Sequence, residues 1–279
     1  LTVKEALRKA AGLFLKAGVP DARLDARLLL AQVLGRPQLE LLAAPDLPLN
    51  EAQAACYFEL AARRAAREPL QYILGRADFM GHQFLVRPGV LIPRDDTEIL
   101  AQRAIALLKA GGSALDLCCG SGILGISLQK ARPDARVYAG DVSGQAIDLT
   151  RDNARALGAE IDARQGDLFA PFIGLRFDLI VCNPPYIPSH ELEGLQEEVR
   201  REPALALDGG ADGLHFYRRV LSEAPGHLNP GGILLLELGD GQAEQVSALL
   251  SPGFTAPVVY RDLGGLPRAL ETRLLRGVD

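Results

Sequence analysis

Apolar positions recur at helical spacing through the first 70 residues. In 3–17, Ala6, Leu13 and Ala17 share a face, and the pattern stops at Gly18-Val19-Pro20, so the spacing predicts a helix. Asp21 is the expected N-cap of a second helix over 22–34, whose stripe of Leu24, Leu28 and Leu29 ends at Gly35. Asn50, with Gln53 three residues on, opens a third long helix running through Arg67, and 39–43 adds a short one. Together these predict an antiparallel helical bundle. The pattern then changes: 77–86 reads as two short strands around Gly81-His82. Pro88, Gly89 and Pro93 interrupt the chain before Asp95-Asp96-Thr97-Glu98 starts a helix through Leu108. Beyond it, apolar runs at 114–118, 136–140, 161–164, 177–182 and 233–238 alternate with helical patterns at 123–130, 145–157, 215–224 and 242–250. That alternation predicts an α/β fold, a Rossmann-like doubly wound, mostly parallel sheet with helices on both faces. The runs 258–260 and 269–275 are expected as an antiparallel hairpin on one edge. The expected organisation is a helical domain over 1–70, a β-hairpin linker over 71–92 and a sheet domain over 93–279.

Composition narrows this only moderately. With 279 residues, 48% apolar and 23% charged, the chain can bury a sizeable core, and its length suits two modules. No apolar run approaches the about 20 residues that span a bilayer, and no leader-like pattern opens the sequence, so a cytoplasmic protein is expected. Residues 1–70 carry ten Lys and Arg against eight Asp and Glu, so the remainder carries −7 of the total −5. That balance argues against naked nucleic acid as the main partner, because phosphate binding leaves a basic footprint. Arg63, Arg64 and Arg67 are read as complementing a helix dipole, and the acidic stretch 191–198 with Glu202 as a solvated helix face. The four cysteines, Cys56, Cys118, Cys119 and Cys182, have no Cys-x-x-Cys spacing and are expected as free thiols. His82, His190, His215 and His227 are scattered, so no metal is expected.

The chemistry concentrates where strands end. Asp116-Leu117-Cys118-Cys119-Gly120-Ser121-Gly122-Ile123-Leu124-Gly125 leaves a strand and enters a helix through three glycines. Gly120, Gly122 and Gly125 match dinucleotide-fingerprint spacing and allow close ligand approach to a helix N-terminus, without deciding between NAD and another nucleoside cofactor. Asp141 ends the next run, where a carboxylate accepts ribose hydroxyls. Asp167 follows the third run and is placed to meet an adenine edge, with Leu168 packing on the ring. Asn183-Pro184-Pro185-Tyr186 closes the fourth. Two prolines stiffen this loop and remove N–H donors, so its carbonyls stay free to accept. An amide nitrogen is a poor nucleophile until its hydrogens are held. The Asn183 side-chain oxygen and the Pro184 carbonyl can accept both hydrogens and aim the nitrogen at an electrophilic methyl group, with Tyr186 offering an aromatic face. An NAD-dependent oxidoreductase would leave this loop unexplained.

Asn183-Pro184-Pro185-Tyr186 resembles the signature of amino-group methyltransferases that use S-adenosylmethionine on adenine, guanine or protein glutamine. Leu91-Ile92-Pro93-Arg94-Asp95-Asp96-Thr97-Glu98, Arg201-Glu202-Pro203-Ala204-Leu205-Ala206-Leu207 and Gly209-Gly210-Ala211-Asp212-Gly213-Leu214 narrow the resemblance to the HemK-type (PrmC) release-factor glutamine methyltransferases, over nearly the whole chain. The resemblance implies S-adenosyl-L-methionine as cofactor. It also implies, as substrate, the glutamine of the Gly-Gly-Gln loop of class-1 peptide-chain release factors, gripped by the N-terminal bundle and hairpin. Methylation of an adenine or guanine amino group is the alternative. Carried over, Cys118, Cys119, Gly120, Ser121 and Gly122 bind the methionine end, Asp141 the ribose, and Asp167 and Leu168 the adenine. Asn183, Pro184, Pro185 and Tyr186 hold the glutamine, with Asn183 also bordering the cofactor. Cys118-Cys119 stand where the family often has Gly-Thr, which preserves backbone contacts but removes a side-chain hydroxyl. Phe79 is assigned either to pocket closure or to core packing, and Arg94 either to Asp96, to Glu98 or to substrate. A monomer without metal is expected.

Overall fold

The computed structural model describes residues 1–277. They form two compact units: 1–75 with 196–201, and the remainder.

The first unit is helical. α1 (Val3–Lys16) opens with a capping box in which the Glu5 N–H donates to Thr2 Oγ1 (3.3 Å) and the Thr2 N–H to the Glu5 carboxylate (3.0 Å). α2 (Ala22–Leu34) ends at a left-handed Gly35, but Asp21 makes no side-chain cap, contrary to expectation. α3 spans Gln38–Ala43, and α4 (Glu51–Ala65) starts at the expected Asn50–Gln53 capping box. α4 stops short of Arg67, whose φ of 65° ends the helix. α5 (Leu70–Leu74) is too short to show a period in sequence. Phe14, Leu29, Leu30, Leu41 and Tyr57 form the core, and the Tyr57 hydroxyl donates to the Ala26 carbonyl (3.0 Å).

The arginines of this unit do more than complement a dipole. Arg64 is 4% exposed and donates to Asp25 (2.7 Å) and Glu198 (2.9 Å), while Arg67 donates to Glu198 at 2.7 and 2.5 Å. Burial pushes the Glu198 carboxyl up, but hydrogen bonds from Arg67 and Arg64 override it and hold the pKa at about 2. The acidic stretch is therefore not a solvated helix face. Ser189–Gly194 is a 3-10 turn, Glu198 closes the arginine cluster, and Glu202 is 6% exposed, accepting from the Ile92 N–H (2.9 Å) and Arg94.

The second unit begins with an antiparallel hairpin, β1 (Arg76–Phe79) and β2 (His82–Leu85). The hairpin belongs to this unit instead of standing as a linker: α8 (Gly144–Leu157) supplies Asn153, whose side chain bonds both the N–H (2.7 Å) and the carbonyl (3.2 Å) of Leu85. A 3-10 turn at Asp95–Thr97 leads into α6 (Glu98–Leu107), then β3 (Ser113–Leu117), α7 (Ile123–Ala131), β4 (Arg136–Asp141), α8, β5 (Ile161–Gln165) and β6 (Phe177–Cys182). α9 (His215–His227), β7 (Leu228–Glu237), α10 (Ala243–Ala248), β8 (Val258–Arg261) and β9 (Pro267–Arg273) complete it. The seven-stranded sheet has the order β5-β4-β3-β6-β7-β9-β8, parallel from β5 to β7, with β9 inserted antiparallel between β7 and β8 as the expected edge hairpin.

Side chains alternate across the inner strands. Leu179, Val181 and Leu235 pack with Leu100, Ala104, Leu124 and Leu128 on one face; Ile180, Leu234 and Leu236 pack with Tyr217, Val220, Leu221 and Val246 on the other. The strand order reverses between β3 and β6, and at such a switch point the loops leave the carboxyl ends of the strands in opposite directions, opening a crevice. Among the described residues, no helix is long and apolar enough to cross a membrane.

Candidate active site

That crevice is a cleft lined by the loops after β3, β4 and β6, the stretch 89–94, and Phe216 of α9. Its floor is the turn from β3 into α7. Cys118, Gly120 and Gly122 all take positive φ (60°, 55° and 80°), winding the chain so that α7 begins with its N–H groups toward the cleft. Gly122 is obligatory: a Cβ there would lie 2.8 Å from Thr150 Cγ2 and would strain a left-handed backbone. The Thr150 hydroxyl donates to the Gly120 carbonyl (3.0 Å), and the Cys119 N–H to the Gly140 carbonyl (3.0 Å). Beneath the loop, Asp116 Oδ2 accepts the Gly125 N–H (2.8 Å) while Oδ1 is unpartnered, and burial lifts this carboxyl to about 7.

Asp141 ends β4 on the cleft wall. Its oxygens accept the Gly120 N–H (2.9 Å) and the Ser143 N–H (2.9 Å), which fixes the carboxylate and leaves further lone pairs to accept hydroxyl protons. Burial raises its pKa, and hydrogen bonds from Ser143, Gly120 and Val142 oppose the rise. Leu168, with φ of 45°, lays a buried side chain on the wall. Asp167 lies on the rim, but its carboxylate is engaged: Arg219 grips it through two bonds (3.0 and 2.8 Å) and, by hydrogen bonding, holds its pKa below the usual carboxylate range.

Asn183 and Pro185 line the cleft directly after β6, whereas Pro184 and Tyr186 are not among its lining residues. Asn183 Nδ2 donates to Thr97 Oγ1 (3.5 Å). The Tyr186 carbonyl accepts from Gln242 Nε2 (2.9 Å), and its ring lies over Gly239, where a Cβ would be 2.9 Å away. Phe79 is 1% exposed and packs edge-on against Phe84, so it belongs to the core and does not close the pocket. Arg94 pairs with Glu202, a partner outside the three considered. Cys119 and Cys182 are buried, and burial pushes both thiols well above their ordinary range. Among the described residues, no group of three or more His, Cys, Asp or Glu side chains could hold a metal ion.

Sequence reasoning passed over Val142 and Phe216 on the wall, and Thr97, Glu237 and Gln242 around the loop. One of these had a visible signal. Glu237 is the sole charge in the run 233–238, and a carboxylate inside a buried strand seldom lacks a purpose.

The sheet order, the left-handed glycine loop, the carboxylate at the end of β4 and the Asn-Pro-Pro-Tyr loop at the end of β6 define a Rossmann-like methyltransferase. Residues 5–75 match the family described as the PrmC N-terminal domain, and 95–202 the methyltransferase small domain. A release factor glutamine methyltransferase from Geobacter sulfurreducens is 45% identical over 98% of this chain and 97% of its own length. Another from Moorella thermoacetica is 43% identical over 89% of each chain. The chain belongs to the release factor glutamine methyltransferase family. Among solved structures, a methyltransferase from Pyrococcus furiosus superposes with a TM-score of 0.54 at 18% identity, covering 81% of this chain and 98% of that one. The Thermus thermophilus 16S rRNA N2 G1207 methyltransferase, in complex with AdoMet and guanosine, gives 0.54 at 19%, covering 72% and 50%. These distant structures share the fold.

Proposed function

We propose that this protein transfers a methyl group from S-adenosyl-L-methionine to the side-chain amide nitrogen of the glutamine in the Gly-Gly-Gln loop of class-1 peptide-chain release factors, as a cytoplasmic monomer. The observation that carries the reading is the position of Asn183 and Pro185 on the wall of a cleft whose floor is the glycine loop. Family membership and the net charge of −5 do not favour nucleic-acid amino groups as substrate.

The cleft fits a nucleoside bearing an amino-acid tail. The free N–H groups at the start of α7 suit a carboxylate, Asp141 has spare acceptor capacity for ribose hydroxyls, and Val142, Leu168 and Phe216 supply apolar wall for a base. When bound, S-adenosylmethionine supplies an electrophilic methyl group on a sulfonium. In this reading the 118–122 backbone holds the methionine end, Asp141 the ribose, and Leu168 and the Asp167 rim the adenine. The Asn183 side-chain oxygen and the Pro184 carbonyl accept the two hydrogens of the substrate amide, directing the nitrogen at the methyl carbon, while Tyr186 backs the planar group. No base is required in advance, because the nitrogen sheds its proton readily once methylated. Holding reactants about 3–3.5 Å apart in the right orientation lowers the barrier by roughly 7–11 kcal/mol. The helical unit is the proposed grip on the release factor.

The test is methyl transfer from labelled S-adenosylmethionine to a release factor, to its loop Gln→Ala variant and to an adenine-containing duplex, with Asn183→Ala in parallel. Label confined to the intact release factor, and lost with either substitution, is the expected result. Label on the duplex, or transfer indifferent to the loop glutamine, overturns the substrate.

A further inference from the structure

β6 and β7 run parallel with Cys182 opposite Leu236, so the next residues of the two strands, Asn183 and Glu237, emerge side by side. Glu237 is 4% exposed, and its Oε2 has no hydrogen-bond partner. Its carbonyl accepts from the Tyr217 hydroxyl (2.8 Å), which fixes the backbone at this point. A buried carboxylate with one oxygen unpartnered is costly to keep, which marks it as a residue with a purpose.

What it faces defines the service. Thr97 and Asp96 approach from the 3-10 turn, Asn183 and Tyr186 from the loop after β6, Tyr217 from α9 and Arg268 from β9. Of these, the Thr97 hydroxyl and the Asn183 amide are the groups placed to donate to it, and they are joined to each other, Asn183 Nδ2 donating to Thr97 Oγ1 (3.5 Å). An ionised carboxylate accepts only, so beside it the amide of Asn183 must present Nδ2 inward. Its Oδ1 is then left toward the cleft. A neutral carboxylic acid donates as well as accepts, and tolerates the flipped amide, which would offer N–H to the substrate's own N–H groups.

We propose that Glu237 is a positioning residue: its ionised carboxylate locks the Asn183 amide in the orientation that accepts the substrate amide hydrogens. The inference rests on the glutamine-amide reading above and adds the element that sets its polarity. Burial raises Glu237 to about 7, Asp96 adds to the rise, and Thr97, Arg268 and Asn183 oppose it. Because the competent form is the ionised one, turnover falls as pH drops through that region.

The experiment is kcat and KM for release-factor methylation from pH 5.5 to 9 for the wild type and Glu237→Gln, with S-adenosylmethionine affinity measured by calorimetry. Glu237→Gln is expected to lower kcat at least tenfold, to change KM for the release factor less than threefold, to lose the acidic limb and to bind S-adenosylmethionine as the wild type does. An intact acidic limb with wild-type kcat overturns the proposal. A merely structural role would alter affinity and stability together and leave the limb in place, which also overturns it. If Glu237→Gln does not fold, Thr97→Val decides: the limb is expected to move to higher pH, and an unmoved limb overturns the lock. Absence of label on the release factor with the wild type sinks the functional reading itself, and the lock with it; label with an unresponsive limb sinks the lock alone.

Discussion

A glycine far from any ligand tests how rigidly the Asn-Pro-Pro-Tyr loop is held. Gly209 has a φ that any residue adopts, yet a Cβ there would lie 2.7 Å from both the Cα and the carbonyl carbon of Tyr186, and 2.9 Å from Gly213 Cα. All three neighbours are backbone. The segments are also zipped together, since the Gly209 N–H donates to the Ile187 carbonyl (2.8 Å) and the Ile187 N–H to the Leu207 carbonyl (3.0 Å). Gly209→Ala must therefore push Tyr186 away by roughly 0.7 Å to restore an ordinary carbon–carbon contact near 3.4 Å. A misplacement of about 1 Å can cost on the order of 100-fold in a reaction driven by proximity. The expected loss in kcat/KM is about 30- to 100-fold, with an overpacking penalty of about 1–3 kcal/mol in stability. Affinity for S-adenosylmethionine should stay within twofold, because neither Gly209 nor Tyr186 lines the cleft. Steady-state methylation of the release factor, calorimetry for the cofactor and urea unfolding read the three quantities separately. Gly194→Ala, where a Cβ meets nothing within 4 Å, is the control. A folded Gly209→Ala protein with wild-type turnover would show that the loop is not pinned from behind, and the account of its positioning would fall.

Other perturbations address separate parts of the molecule. Asp141→Asn removes a charged acceptor and should weaken S-adenosylmethionine by about 10- to 100-fold in calorimetry, as for other hydrogen bonds to charged groups worth roughly 1.5–3 kcal/mol; unchanged affinity would remove Asp141 from the ribose site. Glu198→Ala should destabilise the helical unit by about 3 kcal/mol at pH 7, because it strips Arg64 and Arg67 of a shared partner whose pKa lies at about 2 against an ordinary 4.5. The sign follows from that depression: the stabilisation is whole above pH 4.5 and fades toward pH 2. The gap between wild type and variant in urea unfolding should therefore shrink at pH 3, and a constant gap would refute the ion-pair account.

Legibility in the sequence followed the range of the interactions. Helices with local signals were readable, as at Asn50 and Gln53, whose reciprocal bonds form within one turn. The parallel sheet was readable because its central strands β3 and β6 bury nearly every residue and show as mostly apolar runs. The left-handed turn after β3 was readable because two of its three positive-φ residues are glycines, while Cys118 takes the same conformation without such a signal. The fates of charged groups were not, because their partners are distant in the chain: Arg64 meets Glu198, and Arg94 meets Glu202, each across more than a hundred residues. Asp167 shows the same limit, since nothing near it in sequence marks Arg219 as the group that grips it.

The same distance explains how a site with so few ionisable groups can be selective. An Asn-Pro turn alone presents carbonyls in many directions. Here Gln242 holds the Tyr186 carbonyl, Gly209 and Gly213 leave room for the loop to lie flat, and Thr97 receives the Asn183 amide. Those contacts come from the residue that precedes α10, the loop before α9 and the turn before α6, so the orientation of two acceptors depends on the folded sheet as a whole. A reaction that needs no prior base relies on geometry for its rate. Substitutions behind the loop should accordingly lower kcat while sparing cofactor affinity, whereas substitutions along 118–122 and at Asp141 should do the reverse. A Gly213→Ala variant provides the sharpest comparison, because its Cβ would come 2.5 Å from the Tyr186 carbonyl oxygen and would displace the loop without touching the cofactor wall. If that variant loses cofactor affinity in proportion to turnover, the two halves of the site are not independent, and the division between binding and orientation fails.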